Sequence, residues 1–222
     1  IRKERKKRVM KLGSQDMIQL LEEICDTIEA NKEYLNELDR GIGDGDHGVS
    51  MSLGCTALKN NLPSLADKSV TEILTKSGMV FLSAIGASVG PLYGTAMIRA
   101  GQAVQGKQEI TESDLVAMAE AALKGIKDRG KAEPGDKTMV DAIQPAVETL
   151  KREFEAGTPF LQAAEAAVEA GRKGMESTVG LRSKLGRSSR LGDRSVGKQD
   201  AGATSSYLMM KASLEFLKKK LG

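Results

Sequence analysis

Apolar residues recur at helical spacing along almost the whole chain, and no segment alternates apolar and polar residues as a half-buried strand does. This periodicity predicts an all-α fold, an antiparallel barrel or bundle of eight helices. The predicted helices cover residues 14–28, 49–58, 69–83, 92–105, 112–126 and 139–154, an Ala-rich stretch that begins at Pro159, and residues 203–220.

Two kinds of loop connect these helices. Four loops are rich in glycine and polar residues, namely 39–48, 84–91, 127–137 and 181–202. They follow the first, third, fifth and seventh helices, so in an antiparallel arrangement they all emerge at the same end. The pattern predicts one composite site at that end. The alternative is that the glycines only cap helices.

The positive charge of the chain is concentrated near its N-terminus. The 222 residues carry a net charge of +3, but residues 2–8 hold six cations and one anion, which leaves 27 cations and 29 anions elsewhere. A near-neutral body with few aromatic residues argues against direct nucleic-acid binding. We therefore expect residues 1–9 to be a basic extension, disordered or foreign to the natural protein, and residues 10–222 to form one folded domain.

Cysteine use and hydropathy indicate the compartment. Cys25 and Cys55 lie inside apolar helical patterns, which argues against a disulfide scaffold and favours a reducing environment. No stretch approaches 18 uninterrupted apolar residues, and no signal-peptide pattern is found. We expect a cytoplasmic protein without a membrane partner.

The first unusual loop has the composition of a metal site. Asp39, Asp44 and Asp46 place three carboxylates within eight residues, with glycines between them. Carboxylates this close repel each other unless a cation binds. An EF-hand is excluded because the required Glu is missing at the twelfth position, so Mg²⁺ shared with a phosphate ligand is the better hypothesis. A solvated acidic turn is the alternative.

His47 directly follows this loop and is the only histidine of the chain. Three roles are open to it from the sequence: a phosphate-accepting nucleophile, a hydrogen-bond donor to phosphate, and a structural turn residue.

The other three loops offer weaker signals. Ser88 lies in a loop that leads into a helix. The first N–H groups of that helix would form an anion site, or the loop is simply a tight turn between two helices. Met139 ends a loop that would either border an adenine or be a plain surface loop. Four cations of the last loop are suited to charge neutralisation in phosphoryl transfer, or else they belong to a flexible basic loop. These cations are Arg187, Arg190, Arg194 and Lys198.

Together, the four loops resemble the ADP-binding L-subunit family of dihydroxyacetone kinases. The resemblance extends in one register over about residues 10–217. Its motifs lie at residues 38–48, 90–94, 130–139 and 186–204. It implies an eight-helix antiparallel barrel that holds ADP or ATP through two Mg²⁺ ions in loops at one end, with residues 10–222 as the nucleotide-binding domain.

The resemblance also assigns roles to residues. Asp39, Asp44 and Asp46 are expected to bind the metal ions and, with Arg187, to form the catalytic set. The nucleotide is expected to contact His47, Gly48, Val49, Ser50, Ser88, Val89, Gly130, Met139, Arg187, Asp200, Ala201 and Gly202.

The partners follow from the same resemblance. A phosphohistidine-carrying M subunit is expected to phosphorylate ADP on this chain, and the resulting ATP to phosphorylate dihydroxyacetone held by a K subunit. A homodimer and binding to a transcriptional regulator are further expectations. The alternatives are a ketose kinase that uses ATP directly, a non-catalytic sensor, and a phosphohistidine relay through His47.

Four positions differ from the residues most common in the family: Val89, Arg190, Lys198 and Ala201. Val89 removes a hydroxyl donor from the expected phosphate side. These departures are compatible with a nucleotide site but leave open both the sugar and the phosphoryl donor.

Overall fold

A computed structural model of the protein describes residues 10–86 and 88–221; the basic extension predicted at residues 1–9 lies outside this range. The described chain is all-α and contains no β-strand, only an isolated bridge between Leu12 and Ile110. Its α-helices are α1 (Ser14–Ala30), α2 (Lys32–Arg40), α3 (His47–Asn61), α4 (Val70–Ala84), α5 (Val89–Ala103), α6 (Glu112–Gly130), α7 (Val140–Glu155), α8 (Phe160–Ser177) and α9 (Ala201–Leu221). Three short 3-10 helices are Leu62–Leu65, Thr178–Gly180 and Arg187–Ser195.

The described part of the chain thus has nine α-helices where the sequence predicts eight. The additional helix is α2, which is separated from α1 by the non-helical backbone of Asn31 (φ −109°, ψ 11°). The Asn31 side chain donates to the Thr27 carbonyl at 2.8 Å, and such local bonds compete with helix continuation. As a result, Asp39 lies in the last turn of α2 rather than in a loop.

Helix starts follow their capping signals. The Thr111 backbone N–H and hydroxyl both contact the Asp114 carboxylate at 2.8 Å, which is the capping arrangement that the Thr-x-x-Asp spacing predicts. Ser69 and Glu72 make the same arrangement before α4.

The long helices form a closed ring. Each one packs on the next along the chain, with α3 following α1, and α9 packs against α1. Apolar side chains fill the interior around a cavity of about 380 Å³. Cys25 and Cys55 are free, buried thiols in this interior, and their mutual hydrogen bond together with burial raises the pKa of Cys55. None of the described helices has the length and hydropathy needed to cross a membrane.

Glycines let α4 and α5 approach each other closely. A Cβ atom on Gly78 would lie 2.6 Å from the Gly94 carbonyl oxygen, and a Cβ on Gly94 would lie 2.7 Å from the Gly78 carbonyl oxygen. Both contacts are with backbone, so a side chain could be accommodated only by separating the helices. The contact matters for the site because α5 begins at the cleft described below.

We predict that Gly78→Ala and Gly94→Ala each destabilise the fold by about 1–2 kcal/mol, since overpacking outweighs the gain in helix propensity. Urea denaturation measures the free energy of unfolding. The control is Gly180→Ala, where no atom lies within 4 Å of the added Cβ. Equal stability of all three variants would contradict the close helix contact.

Candidate functional site

A cleft of about 480 Å³ lies where the four glycine-rich loops meet. Most of the sequence-predicted site residues line it. They are Asp39, Asp44, Asp46, His47, Ser50, Ser88, Val89, Gly130, Met139, Arg187, Asp200, Ala201 and Gly202.

The two predicted residues that do not line the cleft are Gly48 and Val49. Gly48 packs against α2, where a Cβ atom would lie 2.0 Å from the Lys32 carbonyl oxygen. The Val49 backbone N–H donates to Asn36 Oδ1 at 3.1 Å, and its side chain is 40% exposed. These residues attach the start of α3 to α2, the helix that the sequence analysis missed.

The three aspartates at the end of α2 and in the loop after it form a cluster. One carboxylate oxygen from each of Asp39, Asp44 and Asp46 lies within 4.8 Å of the others. Asp39 also folds the loop, because its Oδ2 accepts N–H bonds from Gly45 at 2.8 Å and Asp46 at 3.0 Å. Gly45 turns the chain with a φ of +79°, a conformation that favours glycine.

Arg187 is the cation that faces this cluster. Its guanidinium is ion-paired with Asp44 and lies 3.7 Å from Asp46. Three carboxylates against one guanidinium leave an excess of negative charge, and oxygen ligands of this kind are those that Mg²⁺ prefers. The donor set therefore fits a magnesium ion.

Of the four last-loop cations singled out in the sequence, Arg187 lines the cleft and the other three do not. Arg190, Arg194 and Lys198 are exposed outside it. Arg190 and Arg194 lie on the same 3-10 helix as Arg187, Arg187–Ser195. The sequence shows the charges but not which of them lies at the cleft.

Four helices begin at the cleft. The first residues of α3, α5, α7 and α9 are His47, Val89, Val140 and Ala201, and all four line it. Helix N-termini carry unpaired N–H groups and the positive end of the helix dipole, so they favour anions. The first N–H groups of α7 are already bonded to Thr138 and Met139, so the cleft combines a carboxylate cluster for a cation with the starts of α3, α5 and α9 for an anion.

His47 is held under the cleft by a buried polar network. Its Nε2 lies 2.9 Å from Ser205 Oγ, which lies 2.9 Å from the Tyr93 hydroxyl. The Tyr93 hydroxyl also lies 2.7 Å from Ser206 Oγ. Burial lowers the pKa of His47 to about 4 and raises the pKa of Tyr93 to about 12, so both rings are neutral at pH 7. The network joins the starts of α3 and α5 to α9.

The opposite side of the cleft is more apolar. Gly130 and Met139 line it with Leu92, Ile126 and Ala132. Gly202 lies beside Met139, since a Cβ atom on Gly202 would make an ordinary van der Waals contact with the Met139 nitrogen at 3.7 Å.

Asp200 caps α9 beside this apolar side, because its Oδ2 accepts the Ala203 N–H at 2.7 Å. Burial raises the pKa of Asp200 to about 6.

Several lining residues were not predicted. They are Ile42, Gly43, Pro91, Leu92, Ile126, Arg129, Ala132, Lys137, Thr138, Val140, Leu185, Gly186 and Ser188. Most are sequence neighbours of predicted residues. Lys137, by contrast, lies inside the 130–139 motif and gave no separate signal, because a lysine in a polar loop is normally exposed.

Comparison with known proteins gives a consistent result. Residues 41–215 match the family described as the DAK2 domain. The Escherichia coli (strain K12) PEP-dependent dihydroxyacetone kinase, ADP-binding subunit DhaL, is 42% identical over 201 residues, which cover 90% of this chain and 96% of that protein. The DhaL subunit of the PEP-dependent dihydroxyacetone kinase 2 of Listeria innocua is 40% identical, covering 90% of this chain and 93% of that protein.

A solved structure shares the fold. The dihydroxyacetone kinase from C. freundii, in complex with AMP-PNP and Mg²⁺, superposes with a TM-score of 0.70 at 24% identity. The match covers 97% of this chain and 36% of that chain, so the fold corresponds to part of a longer protein.

The buried, neutral His47 predicts a specific pH dependence of stability. Its pKa in the folded state, about 4, lies below the unfolded value of 6.5, so between these pH values the unfolded chain binds more protons. Acidification from pH 6.5 to 4 should therefore destabilise the wild type by about 3 kcal/mol relative to His47→Gln.

Chemical denaturation of both proteins in EDTA across this pH range measures the difference. Comparison with the variant is needed because the raised pKa of Asp200 makes an opposite contribution over the same range. Parallel pH profiles for the two proteins would show that His47 titrates normally.

Proposed function

Because the chain belongs to the DAK2-domain family, we infer that it is the ADP-binding subunit of a PEP-dependent dihydroxyacetone kinase and so part of a phosphotransferase. Its relatives of this name are matched over almost their full length. The observation that carries the inference is the cleft itself, in which a cluster of three carboxylates faces the starts of four helices. That arrangement suits a phosphate ligand accompanied by a divalent cation.

Asp39, Asp44 and Asp46 would hold the metal, for which we propose two Mg²⁺ ions. When bound, Mg²⁺ neutralises phosphate charge and orients the phosphates for in-line transfer. Asp39 keeps the loop in shape through its bonds to Gly45 and Asp46, while Asp44 is paired with the exposed Arg187.

The helix starts and Arg187 would bind the phosphates. Ser50, Ser88 and Val89 line the cleft at the beginnings of α3 and α5, where backbone N–H groups are available to an anion. Val89 contributes a backbone donor only, so its missing hydroxyl leaves this mode of binding intact. Arg187 would exchange its carboxylate partners for the transferring phosphoryl group, whose charge it stabilises.

The apolar side would receive the nucleoside. Gly130 and Met139 would border the base, and Asp200, Ala201 and Gly202 would close the adjoining wall at the start of α9.

The phosphoryl group is proposed to pass from a phosphohistidine of an M subunit to ADP, and then to dihydroxyacetone on a K subunit. His47 is a poor carrier for the group. Its ring is buried, and its Nε2 is engaged by Ser205. This arrangement favours a structural role for His47 over the relay.

We further propose that the ring, with α1 and α2 counted together, is the eight-helix antiparallel barrel of the family, with residues 10–222 as its domain. Two buried free thiols accord with a cytoplasmic location. The homodimer and a transcriptional regulator as a partner rest on the resemblance alone.

A sensor that never transfers phosphate is the alternative from a different class. The two are distinguished by adding M and K subunits with phosphoenolpyruvate and assaying dihydroxyacetone phosphate. Formation of product that depends on this chain supports the kinase subunit, and nucleotide binding without product supports the sensor.

We predict that Asp44→Asn lowers the affinity for Mg-ADP at least 100-fold, because a metal ligand loses its charge, while the fold is retained. Retention of the fold is expected because the exposed Asp44–Arg187 pair contributes little to stability. Isothermal titration calorimetry measures binding, and circular dichroism measures the melting temperature.

The matched control is Asp193→Asn, which removes an exposed carboxylate paired with Arg182 at 3.3 Å, outside the cleft lining. It should bind Mg-ADP as the wild type does. Unchanged affinity in Asp44→Asn would overturn the assignment of the metal site.

A further inference from the structure

The loop between α6 and α7 contains a strained lysine that the proposed function does not use. Lys131 and Lys137 both have left-handed backbones, with φ of 55° and 63°. Lys131 ends α6 in the manner of a helix cap, with its N–H donated to the Lys127 carbonyl. Lys137 is not at a helix end, and a left-handed conformation is unfavourable for a residue with a Cβ. Such strain persists only where the surroundings hold it, often beside ligand sites.

The Lys137 side chain helps to hold this conformation, together with the Asp141 carboxylate, which accepts the Thr138 N–H at 2.7 Å. It is 1% exposed, and its Nζ donates to the Thr178 carbonyl at 2.5 Å and to the Lys198 carbonyl. A buried ammonium is unfavourable without partners of opposite polarity. Burial lowers the pKa of Lys137, and the charges of Asp200 and Asp141 oppose that shift.

The two carbonyls connect Lys137 to separate segments of the chain. Thr178 begins the 3-10 helix after α8, and Lys198 lies two residues before Asp200 and the start of α9. Lys137 itself lies two residues before Met139. The ammonium therefore joins the segment that leads to Met139 to the segment that leads to the start of α9, the two adjoining walls against which the nucleoside is proposed to lie.

We propose that Lys137 is a positioning residue that sets the separation of these two walls, and thereby the affinity for the nucleoside rather than for the phosphates or the metal. This inference rests on the proposed nucleotide site. The phosphate and metal groups lie on α3, α5 and the 39–46 loop, to which Lys137 makes no hydrogen bond in the described part of the chain.

The test compares Mg-ADP with Mg-pyrophosphate, which has the diphosphate but no nucleoside. Calorimetry on Lys137→Met, which keeps the length and removes the charge, should show Mg-ADP affinity at least ten-fold lower. Mg-pyrophosphate affinity should stay within two-fold of the wild type. A general loss of structure would lower both affinities together.

The matched control is Lys184→Met. Lys184 contacts Asp136 of the same loop at 3.0 Å but is mostly exposed, and both affinities should be retained. Should Lys137→Met fail to fold, Lys137→Arg keeps the charge and the donors while changing their reach. It should also lower Mg-ADP affinity selectively, by a smaller factor.

Equal losses for the two ligands in the folded Lys137 variants, or no loss for either, would overturn the positioning role. A wild-type protein that binds neither ligand would instead contradict the proposed nucleotide site, so the two failures are distinguishable.

Discussion

The starts of four helices converge on one cleft, and the rest of the site depends on that convergence. Because every second helix of the ring begins there, the positive ends of four helix dipoles meet at one surface. Such a surface attracts anions, and the adjacent carboxylates would repel them. A divalent cation between the two would resolve this conflict, since the proposed carboxylate ligands would hold it and it would in turn bind phosphate. The chemistry of the site follows from this balance of charges.

The walls of the cleft are held by buried polar groups rather than by the residues proposed to contact the ligand. His47, Ser205 and Tyr93 join α3, α5 and α9 beneath the phosphate side. Lys137 joins the base-side loop to the segments before and after the last 3-10 helix. Both networks are buried, where an unsatisfied polar group is costly, so they favour one geometry of the walls. A ligand would then bind without first ordering the loops.

The sequence predicted the all-α class and the loops that surround the cleft, because helical periodicity and glycine-rich loops are local patterns. It missed α2, since the break at Asn31 depends on one side-chain hydrogen bond. It gave no sign of the close packing of Gly48 against the Lys32 carbonyl, because that contact joins two helices of which one was not predicted. The proposed role of Lys137 could not be predicted from the sequence, because its partners are backbone carbonyls distant in sequence, which no side-chain pattern reveals.

The most direct test of the central claim is to measure what the folded protein retains. The purified chain would be incubated with Mg-ADP, separated from free ligand by gel filtration and denatured, and the released ADP and magnesium measured. If the cleft binds the nucleotide, we expect close to one ADP per chain, with magnesium released alongside it. Protein that retains neither ADP nor magnesium, and takes up no Mg-ATP, would contradict the assignment of the cleft as a nucleotide site.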